Sequence, residues 1–259
     1  MGAGLQRGGF GLSRKPLNIA HMGASAEAPP NTLAAFRLAR EHGADVIELD
    51  VTTTLDGVVV VSHDLTVDRC TDGHGAIAEM TLAQIKSLDA GIRFGERFRG
   101  EKIPTLEETI DWATNSRMRL CIEVKGDTLA SYLRTARATV ELLRRRNWLR
   151  WATLTSFNGA CISAMKVLEP RLSWAYDPEQ RPDYEPWEVC AEALGHSANF
   201  LLYRHDLLTE EILVEAHHHG FAVWTWTVNE PEEMARLAQL GVDGIMTDRP
   251  GLLASLLRA

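Results

Sequence analysis

The amino-acid sequence predicts an α/β protein folded as a (β/α)8 barrel, also called a TIM barrel. Short apolar runs rich in β-branched residues alternate with amphipathic helical segments nearly to the end of the chain. Eight such repeats fit within 259 residues, which is the usual size of this barrel. A doubly wound open sheet is the alternative. No Gly-x-Gly-x-x-Gly motif follows the first strand, so a dinucleotide site is not indicated.

The first predicted elements are a strand at residues 17–20 and a helix at residues 31–42. Asn31 or Thr32 is expected to cap the helix, because either side chain can accept a hydrogen bond from its first turn. Gly43 is expected to end the helix, since glycine readily adopts the left-handed conformation found just after a helix C-terminus.

Two strands without an intervening helix follow at residues 46–51 and 58–62. The Asp56-Gly57 dipeptide between them is typical of a tight turn, so we expect a hairpin-like excursion. From residue 66 to about residue 106 the alternation gives way to glycine-containing turns and a short helix at residues 82–88. We interpret residues 66–106 as a small insertion over the active face of the barrel.

Regular alternation resumes after this insertion. Helices are predicted at residues 106–113, 129–146, 158–167, 186–194, 209–219 and 231–240, and from residue 252 onward. Strands are predicted at residues 120–124, 152–156, 172–175, 200–203, 222–228 and 244–246. Together with the strands at residues 17–20 and 46–51, they make the eight strands that the barrel requires.

Composition and charge narrow the function classes. The formal net charge of −8 argues against nucleic-acid binding, and no apolar run is long enough for a membrane span. The four cysteines lack a metal-binding spacing, which favours reduced thiols in a cytoplasmic protein. Residues 1–16 are glycine-rich and lack the apolar core of a signal peptide, so we expect a flexible leader before a single barrel domain at residues 17–259. Sequence alone does not decide whether the protein forms a homo-oligomer.

Polar side chains stand where several predicted strands end. His21 follows the first strand, Glu48 and Asp50 end the second, His63 follows the hairpin strand, and Glu123 ends the next barrel strand. The carboxyl ends of barrel strands meet at one rim, so we expect these groups to converge. Three carboxylates favour a hard divalent cation, Mg²⁺ or Ca²⁺, over Zn²⁺.

The two histidines predict acid–base chemistry beside that cation. Imidazole titrates near neutrality, so His21 and His63 can act as base and acid in one reaction, with His21 as our choice for the base. Lys125 lies two residues after Glu123 on the same strand face, where it can contact a phosphate or pair with the acids. Trp226 is expected either to wall the pocket or to belong to the core.

Several motifs occur in a consistent order along the chain. They are H-x-G-A-S, P-x-N-T-L-A-A-F, G-A-D-x-I-E-L-D-V and D-G-V-x-V-V-x-H-D, followed by IPTLEE, IEVK, WTVN and TDRP. In these motifs and their spacing the chain resembles the glycerophosphodiester phosphodiesterases. The resemblance implies a barrel that uses Mg²⁺ or Ca²⁺ to hydrolyse glycerophosphodiesters to sn-glycerol 3-phosphate and an alcohol. It implies Glu48, Asp50 and Glu123 as metal ligands, with His21 and His63 as the acid–base pair.

Two positions depart from the family pattern. Met22 stands where the family usually has Arg, and Pro30 stands where it usually has Glu. We hypothesise that the missing Arg and Glu form an ion pair in typical members, so that losing both leaves no orphan charge. These departures keep a non-catalytic barrel binding protein as an alternative. Spider-venom phospholipase D looks similar in carrying Met after the first His, which argues that Met22 need not abolish catalysis. A phospholipase D-like lyase that stops at a cyclic phosphate is a second alternative.

Overall fold

A computed structural model describes residues 15–178 and 184–258 of the chain. Its strands are β1 (Leu17–Ala20), β2 (Val46–Thr53), β3 (Val59–Val61), β4 (Arg119–Val124), β5 (Ala152–Ser156), β6 (Ser173–Tyr176), β7 (Phe200–Arg204), β8 (Ala222–Trp226) and β9 (Gly244–Thr247). All except β3 pair in parallel, and β1 pairs with both β9 and β2, so the sheet closes on itself. The predicted (β/α)8 barrel is confirmed. The expected leader at residues 1–16 lies, up to residue 14, outside the described residues.

Helices cover the outside of this barrel. In chain order the helices are α1 (Leu33–Glu41), α2 (Leu82–Ser87), α3 (Leu106–Ser116), α4 (Leu129–Arg145), α5 (Gly159–Leu168), α6 (Pro186–Gly195), α7 (Glu210–His218), α8 (Pro231–Leu240) and α9 (Pro250–Leu256). Helix α2 is the exception, because it lies in the insertion and packs into the apolar cluster of that segment. The N-cap of α1 is Thr32, whose side chain accepts a hydrogen bond from Ala35 N. Helix α9 begins two residues earlier than predicted, because Pro250 suits the first turn of a helix. Among the described helices, none has the length and apolar character needed to cross a bilayer.

Two layers of apolar side chains hold the barrel together. The larger layer lies between the strands and the surrounding helices. A smaller cluster lies inside the barrel and consists of Ile19, Val46, Cys121, Ala175, Phe200, Leu202, Trp224 and Met246. The residues of the inner cluster precede the polar residues of the same strands, so the cluster lies deeper in the barrel than those polar groups.

The predicted hairpin is confirmed, because β3 runs antiparallel to β2 with Val61 opposite Val51. The chain then forms the insertion, which packs around its own small apolar cluster that includes Val67, Ile77 and Ile85. A guanidinium nitrogen of Arg97 donates a hydrogen bond to the Glu27 carbonyl oxygen at 2.6 Å. The insertion therefore reaches across to the loop that follows β1, at the mouth of the barrel.

Candidate active site

The strand faces that point into the barrel carry apolar side chains deep inside and polar side chains at the carboxyl end. On β2, Val46 belongs to the inner apolar cluster, and Glu48 and Asp50 follow on the same face. On β4, Glu123 follows Cys121 in the same way, and it lies opposite Asp50 in the parallel register. The alternation of the two neighbouring strands thus brings the three carboxylates together.

The structure brings the predicted site residues to one cavity of about 180 Å³ at the mouth of the barrel. Its lining includes His21, Glu48, His63, Glu123, Lys125 and Trp226. Asp50 is 1% exposed and lies behind this lining, where one carboxylate oxygen is 3.1 Å from Lys125 Nζ. All seven residues named from the sequence therefore belong to one site.

One oxygen from each of Glu48, Asp50 and Glu123 lies within 4.8 Å of the others. Burial and the charge of Asp50 raise the pKa of the Glu48 carboxyl, and the same two causes raise the pKa of Glu123. Three carboxylates crowded in a buried site repel one another, and bound positive charge relieves that repulsion. The donor set therefore fits a hard divalent cation.

Lys125 supplies part of that positive charge. Its ammonium lies 2.6 Å from Glu123 Oε1 and 3.1 Å from Asp50 Oδ1. Burial opposes its charged form, but the attraction of Asp50 and Glu123 raises the pKa of Lys125. Lys125 therefore pairs with the acids, which was one of the two roles expected for it. It also lines the cavity, where the other expected role, contact with a phosphate, would take place.

The loop after β1 fixes the two acids of β2. Asn31 Nδ2 donates to Asp50 Oδ2 at 2.8 Å, and Met22 N donates to Glu48 Oε2 at 3.0 Å. The backbones of Met22 and Asn31 are left-handed, with φ of 53° and 61°. Gly23 also has a positive φ, and a Cβ atom there would lie 2.7 Å from Ala35 of helix α1. Close packing on α1 thus shapes the loop that holds the carboxylates.

His21 is oriented by a carboxylate from the far end of the chain. Its Nδ1 lies 2.7 Å from Asp248 Oδ1, and Asp248 also accepts hydrogen bonds from Ser25 Oγ and Asn229 Nδ2. Burial works to lower the pKa of His21, but the Asp248 hydrogen bond and the charge of Glu48 outweigh it and raise the pKa to about 9. Since Nδ1 is engaged, Nε2 is the ring nitrogen left for proton transfer in the cavity.

His63 has a similar arrangement in the same cavity. Its Nδ1 lies 2.8 Å from Asp64 Oδ1, and Arg69 forms two hydrogen bonds to the Asp64 carboxylate at 2.6 and 2.9 Å. The His63 side chain is 42% exposed, whereas that of His21 is 23% exposed. Both histidines therefore have an aspartate at Nδ1, but His63 lies closer to solvent.

Trp226 fills both of the roles that the sequence left open. Its ring packs against the inner apolar cluster and also lines the cavity. The Phe157 ring meets it edge to face, with the centroids 5.8 Å apart. Within the described part of the chain, the Trp226 indole nitrogen has no hydrogen-bond acceptor.

Asn31, Asp64 and Asp248 were not among the predicted site residues. Each nevertheless falls in a motif that carried the family resemblance, namely P-x-N-T, the H-D pair and TDRP. These motifs were the available signal, but spacing along the chain does not reveal that residue 248 bonds to residue 21.

Comparison with known proteins agrees with this geometry. Residues 21–252 match the Glycerophosphoryl diester phosphodiesterase family. A glycerophosphodiester phosphodiesterase from Caldanaerobacter subterraneus is 38% identical over 94% of this chain and 98% of its own length.

Solved structures show the same likeness. A phosphodiesterase from Oleispira antarctica, in complex with the product sn-glycerol-3-phosphate, has a TM-score of 0.86 and 29% identity, covering 95% of this chain and 98% of that one. A glycerophosphodiester phosphodiesterase from Agrobacterium tumefaciens has a TM-score of 0.80 and 28% identity, covering 93% and 100%. The chain belongs to the glycerophosphoryl diester phosphodiesterase family.

Proposed function

We propose that the protein hydrolyses glycerophosphodiesters to sn-glycerol 3-phosphate and an alcohol, in a reaction that requires a divalent cation. The observation that carries this proposal is the pair of aspartate-bound histidines, His21 and His63, lining one cavity with Glu48 and Glu123. Family membership supports the reaction class. The Oleispira relative, described in complex with sn-glycerol-3-phosphate, supports the product.

Glu48, Asp50 and Glu123 are the residues that we propose hold the cation, and Mg²⁺ and Ca²⁺ are the candidates because every ligand is an oxygen. When bound, such a cation neutralises phosphate charge and makes the phosphorus more open to attack. Asn31 and the Met22 amide keep two of the carboxylates in place through hydrogen bonds.

His21 is our proposed general base. It takes a proton at Nε2 from water or from the glycerol 2-hydroxyl as that oxygen attacks phosphorus, while Asp248 at Nδ1 stabilises the imidazolium that forms. The raised pKa of His21 in the cation-free site favours the protonated ring. If Glu48 and Asp50 were engaged by a cation, their charge would raise the pKa of His21 less, and the neutral ring that a base needs would be more accessible.

His63 is our proposed general acid. As the phosphorus–oxygen bond to the alcohol breaks, His63 gives its proton to the departing oxygen, so that the alcohol leaves neutral. If the 2-hydroxyl attacked, water then attacks phosphorus in the cyclic phosphate and gives a proton to His63, while His21 returns its proton to the leaving 2-oxygen. If water attacked directly, His21 releases its proton to solvent and His63 takes one up from solvent, so both histidines regain their starting states. Lys125 and Trp226 are proposed to bind the substrate, Lys125 through the phosphate and Trp226 through the apolar edge of the glycerol unit.

If the glycerol 2-hydroxyl attacks and no water follows, the product is a cyclic phosphate. The specific observation that keeps this lyase alternative is Met22, which stands beside His21 in place of the usual Arg. We also propose a cytoplasmic location, which is supported by four cysteines that are all unpaired.

The test is glycerol 3-phosphate release by the full chain and by His21→Ala, His63→Ala and the exposed control His218→Ala. Loss of a general acid or base typically costs about 10²- to 10⁴-fold in rate. We expect losses of this size for the first two variants and none for the control. A folded, cation-loaded protein that releases no product from any glycerophosphodiester would instead support the binding-protein alternative.

A further inference from the structure

A second cavity of about 180 Å³ lies beside the catalytic cavity, between the loop after β1 and the insertion. Met22 and His63 line both cavities, so the two spaces adjoin at the proposed general acid. We name this second space the insertion cleft. None of the steps proposed above uses it.

The insertion cleft is mostly apolar. Its lining includes Met22, Pro30 and Val61 from the barrel side and Ala90, Phe94 and Ile103 from the insertion side. Met22 and Pro30 thus contribute two of the apolar side chains on the barrel side.

The charged groups at the cleft do not favour a cation. Among its described lining residues, Asp64 is the one carboxylate, and it is already bonded to Arg69 and His63. Arg93 also lines the cleft and donates a hydrogen bond to the Thr71 carbonyl oxygen. A positively charged ligand would meet two guanidinium groups here without an uncommitted carboxylate to pair with.

We propose that the insertion cleft binds the alcohol moiety of the phosphodiester and selects an uncharged, apolar alcohol over a cationic one. This inference rests on the proposed function, in which His63 protonates the departing alcohol oxygen. The alcohol must therefore lie next to His63, and the insertion cleft is the apolar space that opens there. Phe94, which is 39% exposed, is the specificity residue that the cleft offers for substitution.

The experiment measures kcat/KM on synthetic glycerophosphodiesters that differ only in the alcohol. The first set carries ethanol, butanol and hexanol, which are leaving groups of nearly equal acidity. The second set compares choline with 3,3-dimethylbutanol, its uncharged isostere. We expect kcat/KM to rise about two- to fourfold per methylene until the cleft is filled. We expect the dimethylbutyl ester to be preferred over the choline ester by at least fivefold.

Two variants of Phe94 and one control variant then test whether the cleft causes this selectivity. Phe94→Glu places a carboxylate in the cleft, so it should flatten the chain-length dependence and raise the choline-to-dimethylbutyl ratio at least fivefold. The matched control is Leu129→Glu, at an exposed apolar position on α4. It should change neither the chain-length dependence nor the choline-to-dimethylbutyl ratio. Phe94→Ser should flatten the chain-length dependence without raising the choline ratio.

Hydrolysis with no dependence on the alcohol, or with choline preferred, would overturn the cleft proposal and leave the proposed function intact. The cleft proposal would also be overturned if Phe94→Glu and Leu129→Glu changed the choline-to-dimethylbutyl ratio equally. If no ester in either set is hydrolysed with Mg²⁺ or Ca²⁺ present, the proposed function itself fails and the cleft assignment fails with it.

Discussion

Asp248 Oδ1 lies 2.7 Å from His21 Nδ1, although 227 positions separate the two residues in the chain. The contact forms because β1 and β9 are neighbours in the closed barrel, so the residues that follow them meet at the rim. Barrel closure thus gives His21 a fixed orientation and a charged partner. The proposed chemistry depends on that arrangement.

Asp248→Asn should lower kcat/KM about 10- to 100-fold, because an amide keeps the size of the side chain but cannot stabilise the imidazolium of His21. Asp248 helps to raise the pKa of His21, so its replacement should lower that pKa. The acidic limb of the pH–rate profile should therefore move to lower pH. Asp206→Asn, in the loop after β7, is the control. A rate loss without movement of the acidic limb would mean that Asp248 acts only as a structural residue.

Cation binding should stabilise the protein more at pH 8 than at pH 5.5. Burial and Asp50 raise the pKa of Glu48 from 4.5 to about 8, so between these values the folded state holds a proton that the unfolded state has lost. The cation-free protein therefore loses stability as pH rises through this window. A cation replaces that proton, and its stabilising effect is largest where proton binding is weakest.

Thermal unfolding with Mg²⁺, Ca²⁺ or EDTA at the two pH values measures this difference. For a chain of this size about 1 kcal/mol corresponds to a Tm shift of about 2–4 °C. Glu48→Gln should remove most of the cation-induced shift, and Glu141→Gln on α4 should not change it. If the cation raised the Tm of Glu48→Gln as much as that of the unaltered chain, the result would argue against Glu48 as a cation ligand.

Asn31→Ala should weaken cation binding about 10- to 100-fold, because Asn31 is the residue that orients Asp50 through its side-chain amide. It should also destabilise the fold by about 1–3 kcal/mol, since the buried Asp50 loses a hydrogen-bond donor. Isothermal titration with Ca²⁺ or Mg²⁺ measures the first effect and urea unfolding the second. Asn115→Ala on α3 serves as the control. Unchanged cation affinity in a destabilised variant would limit Asn31 to a structural role.

Met22→Arg and Pro30→Glu should act cooperatively. The loop holds these positions close together, because Asn31 N donates a hydrogen bond to the Met22 carbonyl oxygen at 3.0 Å. Restoring only one charge leaves it without a partner, so Met22→Arg alone should help little. The double variant should raise phosphodiester turnover, with a coupling energy of about 1–3 kcal/mol in a mutant cycle. Additive effects would contradict the paired-loss hypothesis.

The sequence was informative wherever local pattern decides the structure. The alternation along β2 and β4 was sufficient to place Glu48, Asp50 and Glu123 on one face at one rim. The sequence was less informative where contacts depend on closure of the barrel. The Asp248 partner of His21 could not be derived from spacing, and neither could the left-handed loop that brings Asn31 to Asp50, because tertiary packing on α1 shapes that loop. The insertion cleft likewise depends on how residues 66–106 fold back over the mouth of the barrel.

The most direct test of cation-dependent hydrolysis follows one glycerophosphodiester by ³¹P NMR, in protein stripped with EDTA and then resupplied with Mg²⁺ or Ca²⁺. The expected result is a signal of sn-glycerol 3-phosphate that grows only after the cation is restored and that is lost in His21→Ala. Equal turnover in EDTA would contradict the proposed role of the three carboxylates. Accumulation of a cyclic phosphate would contradict hydrolysis and establish the lyase.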